Sequence, residues 1–324
     1  MKTIFRTLAA GALVLTAQTM AFAQADLRAW NIHPEGYPVT VALNYFADLV
    51  QQSTQNRVHV KVYSNATLGD QPKAVAMMKA GELDLAEFSL SPLSEAVPST
   101  KALTLPFLFR DSKHMFRQLD GKLGERIEAQ LKQAGYVVLG WYDGGARSFY
   151  CVNKAIRQPT DFVGLRIRVQ QSETAIEMIK LLGAIPVVLP YKEVLDALKD
   201  GRIDCAENNL PSYESTGHAK VAKFSFLSNH TVSPEALVMS TKAWNQLSPE
   251  DQKRFQEAGR KSAVKMRELW NQRVEDARAA ATKQGAQFTT MTDHGPLVAR
   301  MRPLHQKYMD DPKTREELFT ILAD

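Results

Sequence analysis

The residues best able to do chemistry lie between Gly145 and Tyr213: Arg147, Arg168 and the triplet Glu207-Asn208-Asn209. Each stands where a parallel sheet would end. In Leu165-Arg166-Ile167-Arg168-Val169 apolar residues alternate with arginines, the period-two pattern of a strand with one apolar face. Both arginines therefore project from the other face. Ligands of open α/β sheets sit beyond the carboxyl ends of the strands, so Arg168 is better placed than Arg166 to meet one. A guanidinium there offers a rigid fork of donors that matches a carboxylate bidentately. Arg and Asn hold a ligand well but supply no obvious base or nucleophile. The chain has no Gly-x-Ser-x-Gly elbow, no Walker or dinucleotide glycine loop and no His-Glu-x-x-His. A paired-carboxylate hydrolase needs no motif, but no residue pattern supports one. Capture of an anion, without a cofactor or metal, is the expected chemistry.

The segments GARSFY, GLRIRV, GAIPVVLPYKEVLDALKDGRID and AENNLPSY add a more specific signal. Together they resemble the ligand-binding lobe of the solute-binding proteins of tripartite ATP-independent periplasmic (TRAP) transporters, the DctP-like family. The resemblance implies a two-lobed α/β fold of the periplasmic-binding-protein kind, type II-like. Mixed sheets are flanked by helices, with one long hinge-spanning helix. It also implies that Arg168 clamps a substrate carboxylate and that Arg147 and Asn208 complete the anion site. The Glu-Asn-Asn-x-Pro-Ser-Tyr run and the His-x-x-x-Pro-Glu run look most similar to receptors for uronic and related sugar acids. A C4-dicarboxylate or other hydroxy or oxo acid is the alternative ligand. The implied partners are that small organic acid and the TRAP membrane permease subunits; the protein is expected to be a monomer. The same fold could instead present its ligand to a sensor.

The elements that must position these groups follow in chain order. Residues 1–25 read as an export signal: Lys2 and Arg6, then LAAGALVLTA, then Ala21-Phe22-Ala23, with cleavage near Ala23 or Ala25. The apolar run is far short of the roughly 20 residues of a membrane helix, so a periplasmic protein is expected. Loss of Lys2 and Arg6 lowers the formal charge from +5 to +3, and the basic residues are spread, which excludes a nucleic-acid surface.

His33 falls in a loop after a first strand, and a helix is expected from about Val39 to Gln52. RVHVKVY alternates as a strand, and NATLGDQPKAVAMMKAGELDLAEFS reads as turn, helix and strand, with Gly81 stopping the helix. This order argues for a parallel or mostly parallel sheet. Where sugar-acid receptors of the family often place an acidic residue after Leu-Gly, this chain has Gln71, Pro72 and Lys73. Gln71 can still pair with hydroxyls; Lys73 suits a second carboxylate if it points inward, and solvent otherwise.

Gly144-Gly145 reads as flexible punctuation before a second lobe. Tyr213 lies just beyond Asn208, as a packing residue or a polar tip at the cleft mouth. His230 and Glu235 stand where the chain returns to the first lobe, and each could reach the cleft. Ser248, Pro249, Glu250 and Asp251 announce a long helix running to Gln284, ~54 Å if straight. Gly259 would permit a bend. Lobe I is expected to comprise 26–144 plus 233–272, and lobe II 145–232 plus 286–324, with 248–284 spanning both. Cys151 and Cys205 form a disulfide if their strands are antiparallel neighbours, and stay buried thiols if the strands are parallel or out of register.

Overall fold

The computed structural model describes residues 25–324 apart from Thr292. The expected signal segment therefore lies outside the described residues, save for Ala25, which opens the first strand. Among the described residues, nine strands form one sheet: β1 (Ala25–Trp30), β2 (Val58–Tyr63), β3 (Leu85–Ser89), β4 (Tyr136–Cys151), β5 (Arg166–Val169), β6 (Ile185–Val188), β7 (Cys205–Asn208), β8 (Phe224–Ser240) and β9 (Gln287–Thr290). Their order is β2-β1-β3-β8-β4-β7-β5-β6, with β9 beside β8. The sheet is mixed. The β-α-β units give parallel pairs, β1 with β2 and β3, and β5 with β6 and β7. The long strands β4 and β8 run antiparallel to each other and join the two halves.

Local sequence accounts for most boundaries. The helix Pro38–Ser53 buries Val39, Leu43, Phe46 and Val50, one stripe at helical spacing. Asp70 caps the helix Gln71–Ala80 by accepting from the Lys73 amide at 3.2 Å, and Gly81 ends it in the left-handed conformation. Ser248 caps the long helix Pro249–Lys283, whose 35 residues bury Phe255, Met266 and Trp270 against β4 and the helix Pro38–Ser53.

Two expectations need correction. Gly144 and Gly145 do not separate lobes as a linker; they lie inside β4, at an irregularity between Asp143 and Ala146. Gly145 has φ +73° there, and a Cβ would sit 2.5 Å from the Trp270 ring, so the positive φ re-aims the strand rather than interrupting it. The tail does not pack on the second half alone. The last helix, Pro312–Leu322, returns to the first half, where Leu318 and Ile321 share a core with Phe88 and Leu103. Its apolar face covers a surface that would otherwise be bare.

Gly259 lies within the long helix and faces β4. A Cβ on it would lie 2.2 Å from the Leu139 carbonyl oxygen, so this glycine allows close approach of the long helix to β4. Helix propensity alone favours Gly259→Ala by about 1 kcal/mol. Backbone cannot yield as a side chain does, and a net loss of about 1–3 kcal/mol in urea unfolding is expected. A gain in stability would show that the helix can shift off the strand.

Cys151 and Cys205 are directly opposite in the antiparallel β4–β7 pair and form a disulfide. It closes a loop across 54 residues, so its reduction should lower stability by about 2–4 kcal/mol. Unfolded, unreduced protein should show no titratable thiol; two thiols would remove the bridge from the account.

Candidate ligand-binding site

The strand ends converge on a cavity between the two halves of the sheet, lined by His33, Gln71, Glu87, Arg147, Arg168, Tyr191, Asn208 and Glu235 among others. β5 ends at Val169, which puts Arg168 at its carboxyl end and the exposed half of Arg166 at its start. Arg166 is taken up by Asp204, with bonds of 2.6 and 3.0 Å. Arg168 is only 3% exposed. Its Nε and Nη2 both donate to the Leu189 carbonyl, at 3.0 and 2.8 Å. That bond holds the guanidinium by one edge and leaves Nη1 with no hydrogen bond among the described residues, in a side chain that lines the cavity. Among the described residues no carboxylate forms an ion pair with it. Burial pulls its pKa down, opposed by the charge of Glu207.

Arg147 is in a different position. Its Nε and Nη2 bond both carboxylate oxygens of Glu207 at 2.6 and 2.8 Å, and Nη1 donates to Asn208 Oδ1 at 3.0 Å. Burial opposes ionisation of Glu207, but the Arg147 charge, with the His230 ring 3.4 Å away, holds its carboxyl down at about 2. Arg147 is thus offset within the protein, and Arg168 is the buried cation left for a ligand. Asn208 Oδ1 also accepts from the Asn209 amide at 2.8 Å, which fixes the amide and leaves its NH₂ group as an uncommitted donor on a residue that lines the cavity.

The first half supplies the opposite wall. His33 stacks on Tyr37 with ring centroids 3.9 Å apart, and burial pushes its pKa down to about 3, so the ring is neutral. Glu235 on β8 and Glu87 on β3 face one another there; burial raises both carboxyls, Glu235 to about 7. Contacts also join the two halves of the chain around the cavity. Tyr37 Oη donates to Asn209 Oδ1 at 3.2 Å and pairs with Ser212 Oγ at 3.0 Å, and Lys192 Nζ donates to the Ala66 carbonyl at 3.3 Å.

Over residues 31–311 the chain matches the family described as bacterial extracellular solute-binding protein, family 7. The chain belongs to this family, the solute-binding proteins of TRAP transporters. A solute-binding protein of Chromohalobacter salexigens is 37% identical over 313 residues, covering 96% of this chain and 93% of the relative. A TRAP solute-binding protein of Roseobacter denitrificans, solved with bound β-D-glucuronate, superposes with a TM-score of 0.89. It is 40% identical, with 91% of this chain and 98% of that one covered. A Bradyrhizobium relative in complex with α/β-D-galacturonate gives 0.90 at 41% identity, covering 92% and 100%.

Not every residue singled out in the TRAP-type sequence faces the cavity with a free group. Gln71 lines it, but its amide is consumed by Ser89, donating to the carbonyl at 2.7 Å and accepting from the amide at 3.2 Å. Tyr213 is not brought to the cavity: its hydroxyl donates to the Ala222 carbonyl at 2.6 Å and its ring packs on Tyr150. His230 sits behind the cavity against Glu207, 3.4 Å away, and braces that carboxylate. Lys73 turns its side chain over Gly69 and does not line the cavity. Glu87, Tyr37 and Tyr191 escaped the sequence reading. For Glu87 a signal existed: an acid in the apolar run Leu85-Ala86-Glu87-Phe88 is a buried charge in need of a reason.

Proposed function

We propose that this protein is an exported TRAP receptor that binds a uronic or closely related sugar acid between its two lobes. Arg168 takes the carboxylate bidentately, Asn208 adds a donor beside it, and Arg147 positions Asn208 and contributes charge. His33 and Glu235, with Glu87, read hydroxyls from the other lobe. Gln71 shapes the wall through Ser89. The observation that carries this reading is Arg168: a buried guanidinium that lines the cavity, spends Nε and one Nη2 bond on the Leu189 carbonyl, and has no carboxylate partner among the described residues. The glucuronate and galacturonate complexes of relatives at 40% and 41% identity support the class of ligand.

In this reading residues 26–144 and 233–272 form one lobe and 145–232 with the start of the tail the other. The contacts of Tyr37 and Lys192 between the two lobes belong to the closed form. A ligand that touches both lobes favours that form over the open one. The closed receptor then docks on the membrane permease and releases its ligand chemically unchanged. Residues 1–25 direct export and are removed near Ala23 or Ala25.

A thermal-shift panel of sugar acids, C4-dicarboxylates and oxoacids tests the reading. A true ligand at a thousandfold its Kd adds about 4 kcal/mol to stability. Uronates should give the largest shifts; a panel in which only dicarboxylates stabilise would reject the sugar-acid assignment.

A further inference from the structure

Glu87 and Glu235 are 1% and 7% exposed, and they lie on the neighbouring strands β3 and β8. Ligating atoms of these two carboxyls and of His33 all fall within 4.8 Å of one another. Glu87 Oε2 accepts from Asn31 Nδ2 at 3.3 Å, which leaves Oε1 buried without a partner. Glu235 Oε2 is likewise buried and unpartnered. Two ionised carboxylates so placed would repel at short range in a medium of low dielectric. A single proton held between them removes the repulsion and satisfies both orphaned oxygens.

The surroundings favour that proton. From the loop after β1 come Asn31, already committed to Glu87, and His33, which is neutral. The helix Pro38–Ser53 is preceded by Tyr37, and the turn after β6 brings Tyr191; both are neutral phenols near Glu235. β4 contributes Tyr142, Asp143 and Arg147. Asp143 pushes Glu235 toward protonation and Arg147 pulls the other way, but Arg147 is bound to Glu207. The long helix brings uncharged groups to this side: Ser262 on Tyr142, Met266 on the Asp143 amide, and Trp270 against Gly145.

We propose that Glu87 and Glu235 hold one shared proton as a working part of the binding site, so that ligand and proton are bound together. The proposal rests on the sugar-acid reading above. With the proton in place, the pair offers acceptors to ligand hydroxyls at a tolerable charge. Without it, two carboxylates confront the carboxylate of the ligand in one cavity. Linkage is reciprocal: the proton strengthens ligand binding, and the ligand strengthens proton binding.

Calorimetry with D-glucuronate and D-galacturonate tests this on the mature protein, stripped with a chelator, from about pH 5.5 to about pH 9. Wild-type Kd should rise about tenfold per pH unit once the pair ionises, and buffers of different ionisation enthalpy should report proton uptake on binding. Glu87→Gln and Glu235→Gln, each folded by circular dichroism, should bind more weakly but lose that slope. A flat wild-type profile, or the same slope in both variants, overturns the proposal. Recovery of affinity at high pH on adding Ca²⁺ or Zn²⁺ would also overturn it, by putting a cation where the proton is assigned. If neither uronate binds at any pH, the sugar-acid reading fails by itself. Infrared difference spectra of the free protein then decide the proton: a protonated-carboxyl band lost in both Gln variants supports it, and no such band rejects it.

Discussion

Arg168→Ala should weaken uronate binding by about 2–5 kcal/mol, roughly thirtyfold to several thousandfold, the scale of stripping one partner from a buried charge pair. The size follows from how the guanidinium is held. One edge is spent on the Leu189 carbonyl, so the other reaches the ligand already oriented and loses little freedom on binding. Arg168→Lys keeps the charge but cannot serve Leu189 and a carboxylate together, and a loss of about 1.5–3 kcal/mol is expected. Arg166→Lys is the control, because Arg166 is engaged with Asp204 at the far end of the strand. Calorimetry should separate the two positions; equal losses would remove the strand-face argument.

Arg147→Ala should act on stability more than on recognition. It leaves Glu207, 2% exposed, with no cation paired to it and only the His230 ring 3.4 Å away, whose pKa burial lowers. Breaking a buried pair from one side costs about 3–5 kcal/mol, measured as a loss in urea unfolding free energy near neutral pH. The pH dependence has a definite sign. In the wild type the carboxyl of Glu207 is held at about 2, below its ordinary value. Its contribution is therefore present above the usual carboxylate range and lost as pH falls through about 2. In the variant burial dominates and raises that pKa, so stability should recover partly as pH falls from neutral toward the ordinary carboxylate range. A variant within about 1 kcal/mol of wild type at neutral pH would show the pair to be dispensable.

Period-two alternation puts Arg166 and Arg168 on one face, and position at the carboxyl end of the strand favours Arg168; both are local facts. The disulfide was open only as far as strand direction was open; the antiparallel register of β4 and β7 places Cys151 opposite Cys205. Other features depend on partners distant in sequence. Gly144-Gly145 has the composition of a linker, yet the Trp270 ring and the Glu235 carboxylate press on it from elements more than 80 residues away. Gly259 looks like a helix weakness until Leu139 is placed beside it. Asn208 and Asn209 are adjacent and alike, but Asn209 caps the helix Leu210–Ser215 and binds the Gly144 carbonyl, which leaves Asn208 as the one with a donor to spare. Glu87 carried its signal in the open, as an acid within an apolar strand; its meaning needed Glu235 across the β3–β8 pair.

A crystal structure of the mature protein with D-galacturonate or D-glucuronate tests the central claim most directly. The account predicts both carboxylate oxygens of the sugar at about 2.7–2.9 Å from Nη1 and Nη2 of Arg168, with ring hydroxyls toward His33, Glu87 and Glu235. A ligand turned end for end, its carboxylate at the Glu87–Glu235 wall and only hydroxyls on Arg168, would contradict it.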